Sequence, residues 1–249
     1  MRAFSIFRGC LLLLAGCSLV PGGKMPAVSG TDPPGGGTWQ PGWLEIHHID
    51  AGEACSTLIV GPSGRTLLVD AGEAEWDADA GASMVGPYIK SVLGSSHLDT
   101  VLVSHFHLDH TGYPGYGGLW HLVNLQGFTV GKLLHRDFSR YPGEGGGTLA
   151  CWRRYLAGEG RDVLHPEVAR LGDGQIDLGP GVFVRVVAVD GNGLLSAQTP
   201  TDDPAPPSEN DYSVAFVLRF GLLDYFAGGD LSGETLISDF GYSYHDIEY

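Results

Sequence analysis

A dense set of metal-ligand side chains lies near the middle of the sequence. Four ligands fall within six residues, at His105, His107, Asp109 and His110. In an extended backbone the side chains at positions i and i+2 point to the same side, so His105 and His107 can reach one cation. Asp109 and His110 follow where Gly112 lets the chain turn, and they can address a second cation close by. The spacing therefore predicts a metal site that could hold two ions.

The segment that must present these ligands is the run at residues 100–103, Thr-Val-Leu-Val. It is short, rich in β-branched residues and bounded by polar ones, which predicts a buried strand whose C-terminal end delivers His105 into a loop. Catalytic groups usually lie at such strand ends in α/β proteins. At a buried strand end, three imidazoles and a carboxylate would cost about 1–3 kcal/mol for each unsatisfied group. The full string therefore favours a metal site over a set of ordinary polar residues.

The His-x-His-x-Asp-His string resembles the metal-binding loop of the metallo-β-lactamase superfamily. Residues 44–52, 57–60 and 66–72 are similar to the opening strands of that fold, and Asp70-Ala71-Gly72 looks like its Asp-x-Gly turn. The resemblance implies an α/β fold, namely a four-layer αββα sandwich.

A second group of motifs resembles one branch of that superfamily. Residues 208–218, followed by Gly228-Gly229-Asp230, are similar to the hydrolase domain of the ComEC competence protein. Together the matching segments cover most of residues 42–230. They are strongest at the metal loop and weaker elsewhere.

The resemblance also implies a role for each candidate residue. His105 and His107 would bind the first metal, Asp109 and His110 the second, and Asp230 would bridge the two. Asp109 is the candidate catalytic residue. Two metals about 3.5–4 Å apart generate hydroxide near neutral pH and stabilise the attacking and leaving oxygens. Imidazole and carboxylate ligands suit zinc best, with iron or manganese as alternatives.

Two acidic candidates also have simpler interpretations. Asp70 ends an apolar run, where its carboxylate could orient a metal-bound histidine from behind. The alternative is a turn or helix cap beside Gly72. Asp230 could likewise be only a turn residue after Gly228 and Gly229.

The ligand set is incomplete by the standard of the superfamily. A further histidine for the first metal is expected, and His135, His165 and Asp190 are weak candidates for that position. A last histidine is expected on a strand after Asp230, often as His-His-Gly-Ser, which the sequence lacks. His245 could substitute, or the chain could stop before the family's last strands. We favour the second interpretation, which predicts an incomplete sandwich with an exposed apolar face near the C-terminus.

The N-terminus reads as an export signal. Arg2 and Arg8 precede the apolar run at residues 10–15, which is too short to span a bilayer. Residues 14–17, Leu-Ala-Gly-Cys, look like a bacterial lipobox, in which cleavage precedes Cys17 and that cysteine is lipidated. The alternative is an ordinary secretory signal. The expected location is therefore the periplasm or the cell exterior, with a lipid anchor in the membrane.

Composition divides the rest of the chain in two. Residues 17–41 are dense in glycine and proline without an apolar period and predict a tether, after a signal peptide at residues 1–16. Residues 42–249 predict one hydrolase domain, because 43% apolar content over 249 residues can bury a sizeable core. Cys55 and Cys151 in that domain could form a disulfide or remain two separately buried thiols.

Local patterns predict the secondary structure that carries the site. A hairpin turn is expected at residues 61–64, and a helix at 87–93 crosses back to the strand that feeds His105. A second helix is expected at 149–156. The Gly- and aromatic-rich stretch 113–120 is a pocket rim or a surface loop. Further strands are expected at 128–134, 175–178, 182–189, 212–220 and 222–227.

Charge narrows the choice of substrates. Cleavage before Cys17 removes Arg2, Arg8 and no acid, which leaves 12 basic against 29 acidic residues and a net charge of −17. Such a surface offers few cations to phosphates, so long nucleic acids are disfavoured as partners. A small molecule or a single phosphodiester fits better. The sequence does not indicate the oligomeric state.

These features predict an exported metal-dependent hydrolase that uses a metal-bound hydroxide on an ester or phosphodiester-type bond. One alternative is a non-catalytic metal- or ligand-binding lipoprotein with an incomplete site. Another is a lactone or β-lactam hydrolase, because a resemblance at the level of the fold does not choose among substrates.

Overall fold

A computed structural model of the protein describes residues 39–51, 54–73, 82–139, 147–193 and 209–231, with the short pairs 236–237 and 242–243. The proposed signal peptide with Cys17, most of the proposed tether and His245 lie outside these residues, so the predictions about them stay predictions. None of the helices in the described residues is long and apolar enough to cross a membrane.

The described elements alternate between strands and helices. The strands are β1 Glu45–His48, β2 Thr57–Val60, β3 Thr66–Val69, β4 His97–Leu102, β5 Thr129–His135, β6 Pro166–Val168, β7 Gly172–Asp173, β8 Val182–Val189, β9 Asn192–Gly193, β10 Ala215–Phe220, β11 Leu223–Ala227, β12 Leu236–Ile237 and β13 Tyr242–Ser243. The helices are α1 Ala82–Leu93, α2 Leu108–Thr111, α3 Gly118–Asn124, α4 Gly147–Ala157 and α5 Arg161–Leu164, with a 3-10 helix at Asn210–Tyr212.

The first sheet has six strands in the order β1-β2-β3-β4-β5-β6. β1, β2 and β3 are antiparallel, and the predicted turn at residues 61–64 joins β2 to β3. β4 pairs parallel with β3, and α1 makes the predicted crossover between them. The carboxyl ends of the central strands β3 and β4 therefore lie side by side at the same end of the sheet.

Both faces of this sheet are buried, because all four residues of β3 are buried and successive side chains point to opposite faces. In β3, Leu68 faces a core cluster that also contains helical residues, whereas Leu67 and Val69 face a second cluster. The first cluster includes Val85 and Ile89, which lie one turn apart on α1. A helical layer therefore covers one face of the sheet.

The second sheet covers the other face. Its strands run in the order β11-β10-β8-β7, with β9 paired to β8. Val186 of β8 and Phe216 of β10 point inward to the same cluster as Leu67 and Val69. Each fully buried side chain of this kind contributes about 1.5–3 kcal/mol of hydrophobic free energy.

The prediction of an α/β fold is confirmed, and the described residues supply three of the four expected layers in the order α, β, β. Phe183 and Phe226 lie on the second sheet's strands and are 71% and 51% exposed. Both side chains are therefore largely exposed to solvent, and the exposed apolar face near the C-terminus stays a prediction. Incompleteness of the sandwich stays a prediction.

Several local predictions need correction. α1 begins at Ala82 rather than at Pro87, because extending the helix buries Val85. Residues 175–178 are not a strand: Ile176 and Leu178 bury their side chains between the sheets from an irregular segment. The stretch 113–120 is only partly a loop, since α3 begins at Gly118.

Candidate metal centre

The ends of β3 and β4 place the first part of the site. Asp70 directly follows β3 and adopts a positive φ of 58°. Ser104 and His105 follow β4 two and three residues after its end, and Asp109 and His110 lie on the short helix α2. The apolar strands fix these backbone positions, and the side chains that follow them meet beyond the carboxyl ends of β3 and β4.

The second sheet contributes Asp230. This residue follows β11 through Gly228 and Gly229, and its N–H lies 3.3 Å from Ser213 Oγ. Gly229 has a φ of 56°, and a Cβ atom there would lie 2.8 Å from Cβ of Ser104. Only glycine therefore lets this turn approach the first sheet closely enough to bring Asp230 to the histidines.

Three ligand groups converge at this point. His105, His110 and Asp230 each offer an atom, and these atoms all lie within 4.8 Å of one another. His110 Nε2 is 3.2 Å from Asp230 Oδ1, and the rings of His105 and His110 are 4.3 Å apart. Both histidines are buried, whereas the Asp230 side chain is 38% exposed and leaves the group open to solvent. Two imidazoles and a carboxylate in this arrangement suit a divalent metal such as zinc.

Asp70 fixes the orientation of both buried histidines. Its carboxylate accepts hydrogen bonds from Ser104 N at 2.8 Å, Ser104 Oγ at 2.7 Å and His110 Nδ1 at 2.8 Å. Because the Ser104 hydroxyl donates to Asp70, it can accept from His105 Nδ1, which lies 3.1 Å away. With their Nδ1 protons engaged in this way, both imidazoles would present Nε2 to a cation, which would replace the contacts that these atoms make with His107 and Asp230.

The carboxylates of Asp70 and Asp230 stabilise one positive charge at His110, whereas His105 stays neutral. Burial, with His110 and His107 adding to it, lowers the pKa of His105 to about 2. Burial alone would lower the pKa of His110 as well, but hydrogen bonds to Asp230 and Asp70 raise it to about 11. The hydrogen bond to His110 in turn lowers the pKa of Asp230. The positive charge of a proton on His110 Nε2, or of a metal ion in its place, would balance the negative charges of Asp70 and Asp230.

His107 and Asp109 lie one contact further out. His107 is exposed, with Nδ1 3.0 Å from His105 Nε2. Asp109 Oδ2 is 3.4 Å from His110 Nε2, and its side chain is 43% exposed. The structure thus places all the predicted ligands together, but His107 and Asp109 are outside the group of three. The assignment of each ligand to a first or second metal stays a prediction.

The weaker candidates lie elsewhere. His135 is buried, packs against Phe138 and hydrogen-bonds through Nδ1 with the Arg136 carbonyl. His165 is exposed and has a left-handed backbone at the end of α5. Asp190 is a turn residue that accepts a hydrogen bond from Asp137 N. None of the three joins the converging group.

The two cysteines of the domain are both free, so they do not form the disulfide that we considered. Neither is fully buried, which also corrects the alternative: Cys55 is exposed and Cys151 is half-buried. Cys55 N donates to the Asp109 carbonyl at 3.2 Å, so this residue lies beside the candidate site. Partial burial raises the pKa of the Cys55 thiol.

No protein-family model matches the chain, and no curated protein matches it in sequence. Solved structures do match, and the following three have low sequence identity to this chain. A subclass B3 metallo-β-lactamase from a soil metagenome library is 18% identical over 75% of this chain and 58% of its own, with a TM-score of 0.40. A probable metal-dependent hydrolase from Staphylococcus aureus is 11% identical over 77% of this chain and 74% of its own, also with a TM-score of 0.40.

A third match is the diiron β-hydroxylase CmlA from Streptomyces venezuelae. It is 16% identical over 77% of this chain and 30% of its own, with a TM-score of 0.40. The chain therefore spans little more than half of the matched β-lactamase and less than a third of the hydroxylase. The matched proteins include metal-dependent hydrolases of the metallo-β-lactamase superfamily.

Three residues around the site were not recognised from the sequence. Ser104 carries the hydrogen-bond link from Asp70 to His105, and its position next to a candidate ligand was the only available signal. Arg136 and Glu209 form a buried ion pair beneath the metal loop. They are 73 residues apart in sequence, and no local pattern connects them.

Proposed function

We propose that this protein is an exported, lipid-anchored, metal-dependent hydrolase that acts on an ester or phosphodiester-type bond. The observation that carries the proposal is the convergence of His105, His110 and Asp230 within 4.8 Å, contributed by both sheets. Export and the lipid anchor at Cys17 rest on the sequence alone.

The residues present supply what such chemistry needs. A divalent metal at this position would lower the pKa of water and polarise the bond under attack. His105 and His110 present their Nε2 atoms, because Asp70 and Ser104 engage the Nδ1 atoms. Asp109, half-exposed beside His110, can orient water through Oδ2 and accept its proton there.

The substrate is expected to be small. The converging group is open to solvent at Asp230, but the chain carries a net charge of −15 and offers no excess of cations for a long polyanion. One ester or phosphodiester at the metal remains compatible with that charge, since the metal itself attracts a single phosphate. Lactones and β-lactams are alternatives of similar size.

A second candidate function is a metal-binding module without catalysis. The observation in its favour is that His107 and Asp109 lie outside the group of three. A protein of this kind would bind one metal ion and hydrolyse nothing. Metal stoichiometry and turnover measured on the same sample separate the two candidates.

The test compares wild type with Asp230→Asn and a matched control, Asp224→Asn. Asp224 is an exposed aspartate paired with Arg219 on the same sheet. Zinc content is measured by elemental analysis, and hydrolysis with bis(p-nitrophenyl) phosphate, p-nitrophenyl acetate and a chromogenic cephalosporin.

We expect wild type and the control to hold zinc and to cleave a phosphodiester or ester probe, with both properties reduced in Asp230→Asn. Cleavage of the cephalosporin alone would move the assignment to a β-lactam hydrolase. Metal binding without any turnover would support the binding module, and absence of zinc, iron and manganese from wild type, all of which elemental analysis detects, would refute both.

A further inference from the structure

A buried ion pair lies directly under the metal loop. Arg136, after β5, and Glu209, just before the 3-10 helix, have side chains that are 0% and 9% exposed. Arg136 Nε donates to Glu209 Oε1 at 2.7 Å, and the second guanidinium nitrogen contacts Oε2. A buried ion pair contributes little net stability, because both charges lose their hydration. Its position relative to the ligands is therefore the more informative property.

Glu209 also holds the backbone between two candidate ligands. Its Oε1 accepts a hydrogen bond from Phe106 N at 3.0 Å, and Phe106 stands between His105 and His107. The Phe106 ring is buried and packs against Phe138 with ring centroids 4.9 Å apart. The peptide that carries both imidazoles is thus fixed from the core by its ring and from the second sheet's side by Glu209.

The same segment holds the other side of His105. Val214 N, five residues after Glu209, donates to the Ser104 carbonyl at 2.8 Å. The backbone groups immediately before and after His105 are therefore both bonded to residues 209–214. This short segment leads from the 3-10 helix into β10. The position of His105 consequently depends on how the segment docks against the metal loop.

We infer that Glu209 is a positioning residue for the metal centre: its carboxylate, oriented by Arg136, holds Phe106 N–H and so sets where His105 and His107 present their imidazoles. This inference rests on the proposed function, because it assumes that these imidazoles bind a metal. Arg136 is itself held in place, since its guanidinium lies 5.1 Å from the Tyr212 ring centroid and donates to the Asp137 carbonyl at 3.2 Å.

The informative variant is Glu209→Asp in the full chain. It keeps a carboxylate for Arg136, so no buried charge is left alone, but the shorter side chain cannot hold both Arg136 and Phe106 N–H. Glu209→Gln is the second variant, because it keeps the length and one acceptor but removes the charge. Asp173→Asn is the matched control, since Asp173 forms an exposed ion pair with Arg185.

Three quantities are measured for each protein: zinc affinity by competition with a chromophoric chelator, the visible spectrum of the cobalt(II) form, and the Tm of the metal-free protein. We expect Glu209→Asp to weaken zinc binding about tenfold or more, with displaced cobalt bands and a Tm close to that of wild type. Glu209→Gln should retain more zinc affinity than Glu209→Asp, and the control should match wild type.

The inference is overturned if Glu209→Asp binds zinc within twofold of wild type with the same cobalt spectrum. It is also overturned if zinc affinity falls only in step with Tm across the variants, including complete unfolding, because the pair would then be merely structural. Wild type that binds none of zinc, iron and manganese would overturn the proposed function together with this inference. Wild type that binds zinc and turns over substrate, beside an unchanged Glu209→Asp, would overturn the inference alone.

Discussion

Replacing Asp70 with asparagine tests whether one carboxylate sets the orientation of both buried histidines. Asp70 accepts hydrogen bonds from Ser104 N, Ser104 Oγ and His110 Nδ1. In Asp70→Asn one carboxylate oxygen becomes an NH₂ group, which can only donate. If the amide oxygen keeps Ser104 N, the NH₂ faces His110 Nδ1. The proton of His110 must then move to Nε2, where it occupies the position of the metal.

The expected loss of zinc affinity in Asp70→Asn can be estimated, because Asp70 is the group that orients His110 toward the metal. Removing such a partner of a metal-bound histidine costs about 10–100-fold in metal affinity, which corresponds to about 1.4–2.7 kcal/mol. The free energy of unfolding of the metal-free protein should fall by about 1–3 kcal/mol, because a buried group loses its partner. The two effects are measured separately, by zinc competition and by urea unfolding.

The matched control is Asp99→Asn. Asp99 also accepts a backbone N–H and a hydroxyl, both from Thr66, but it lies at the opposite end of β3 and β4. Both bonds reach Oδ2 of Asp99, and the amide oxygen of Asp99→Asn can accept them in its place, so this variant should keep its zinc affinity and most of its stability. Equal zinc affinity in Asp70→Asn and wild type would refute the reasoning, as would an equal loss in Asp99→Asn.

Three further predictions concern the elements around the site. Gly229→Ala should weaken zinc binding, because its Cβ would meet Ser104. The control Gly221→Ala, also at positive φ but with open space around it, should cost about 1 kcal/mol of stability and leave zinc affinity unchanged. Similar zinc affinities in the two variants would contradict this prediction. Phe106→Ala should lower the free energy of unfolding by about 3–5 kcal/mol, measured with urea, and a loss below 1 kcal/mol would show that the ring is not an anchor. Burial lowers the pKa of His135, so below about pH 6.5 the unfolded chain binds a proton that the folded protein does not. Stability should fall as the pH drops, and His135→Gln should flatten that slope relative to wild type; equal slopes in the two proteins would exclude His135 as the cause.

Strands with a regular pattern were predictable from the sequence. Val182–Val189 was predicted with the bounds that the structure shows, because inward Val184 and Val186 alternate with exposed Phe183 and Arg185. Residues 175–178 carry similar apolar side chains but form no strand. There the Gln175 side chain bonds to the backbone of Val168 and Arg170, so the segment satisfies polar groups without pairing to a neighbouring strand.

The residues of the candidate site likewise fall into those that were predictable from the sequence and those that were not. Ligands within the six residues from His105 to His110 could be recognised because their spacing is local. Asp230 was predicted from the resemblance to the metallo-β-lactamase superfamily, and the structure brings it close to His105 and His110. Glu209 lies in the segment 208–218 that was noted for its resemblance, but its role could not be recognised, because it depends on contacts with Arg136 and Phe106, which are 73 and 103 residues away. Local patterns carry no information about such long-range contacts.

The contribution of ligands from both sheets has a consequence for how the domain comes apart. His110 and Asp230 are 120 positions apart, His110 on α2 after β4 of the first sheet and Asp230 after β11 of the second. A cation shared between them would act as a reversible cross-link that closes this long loop, much as a disulfide does. At a free metal concentration 1,000 times the dissociation constant, it would add about 4.1 kcal/mol to the stability of the folded state. Amide hydrogen exchange in β10 and β11 should therefore report metal occupancy as directly as exchange in the metal loop.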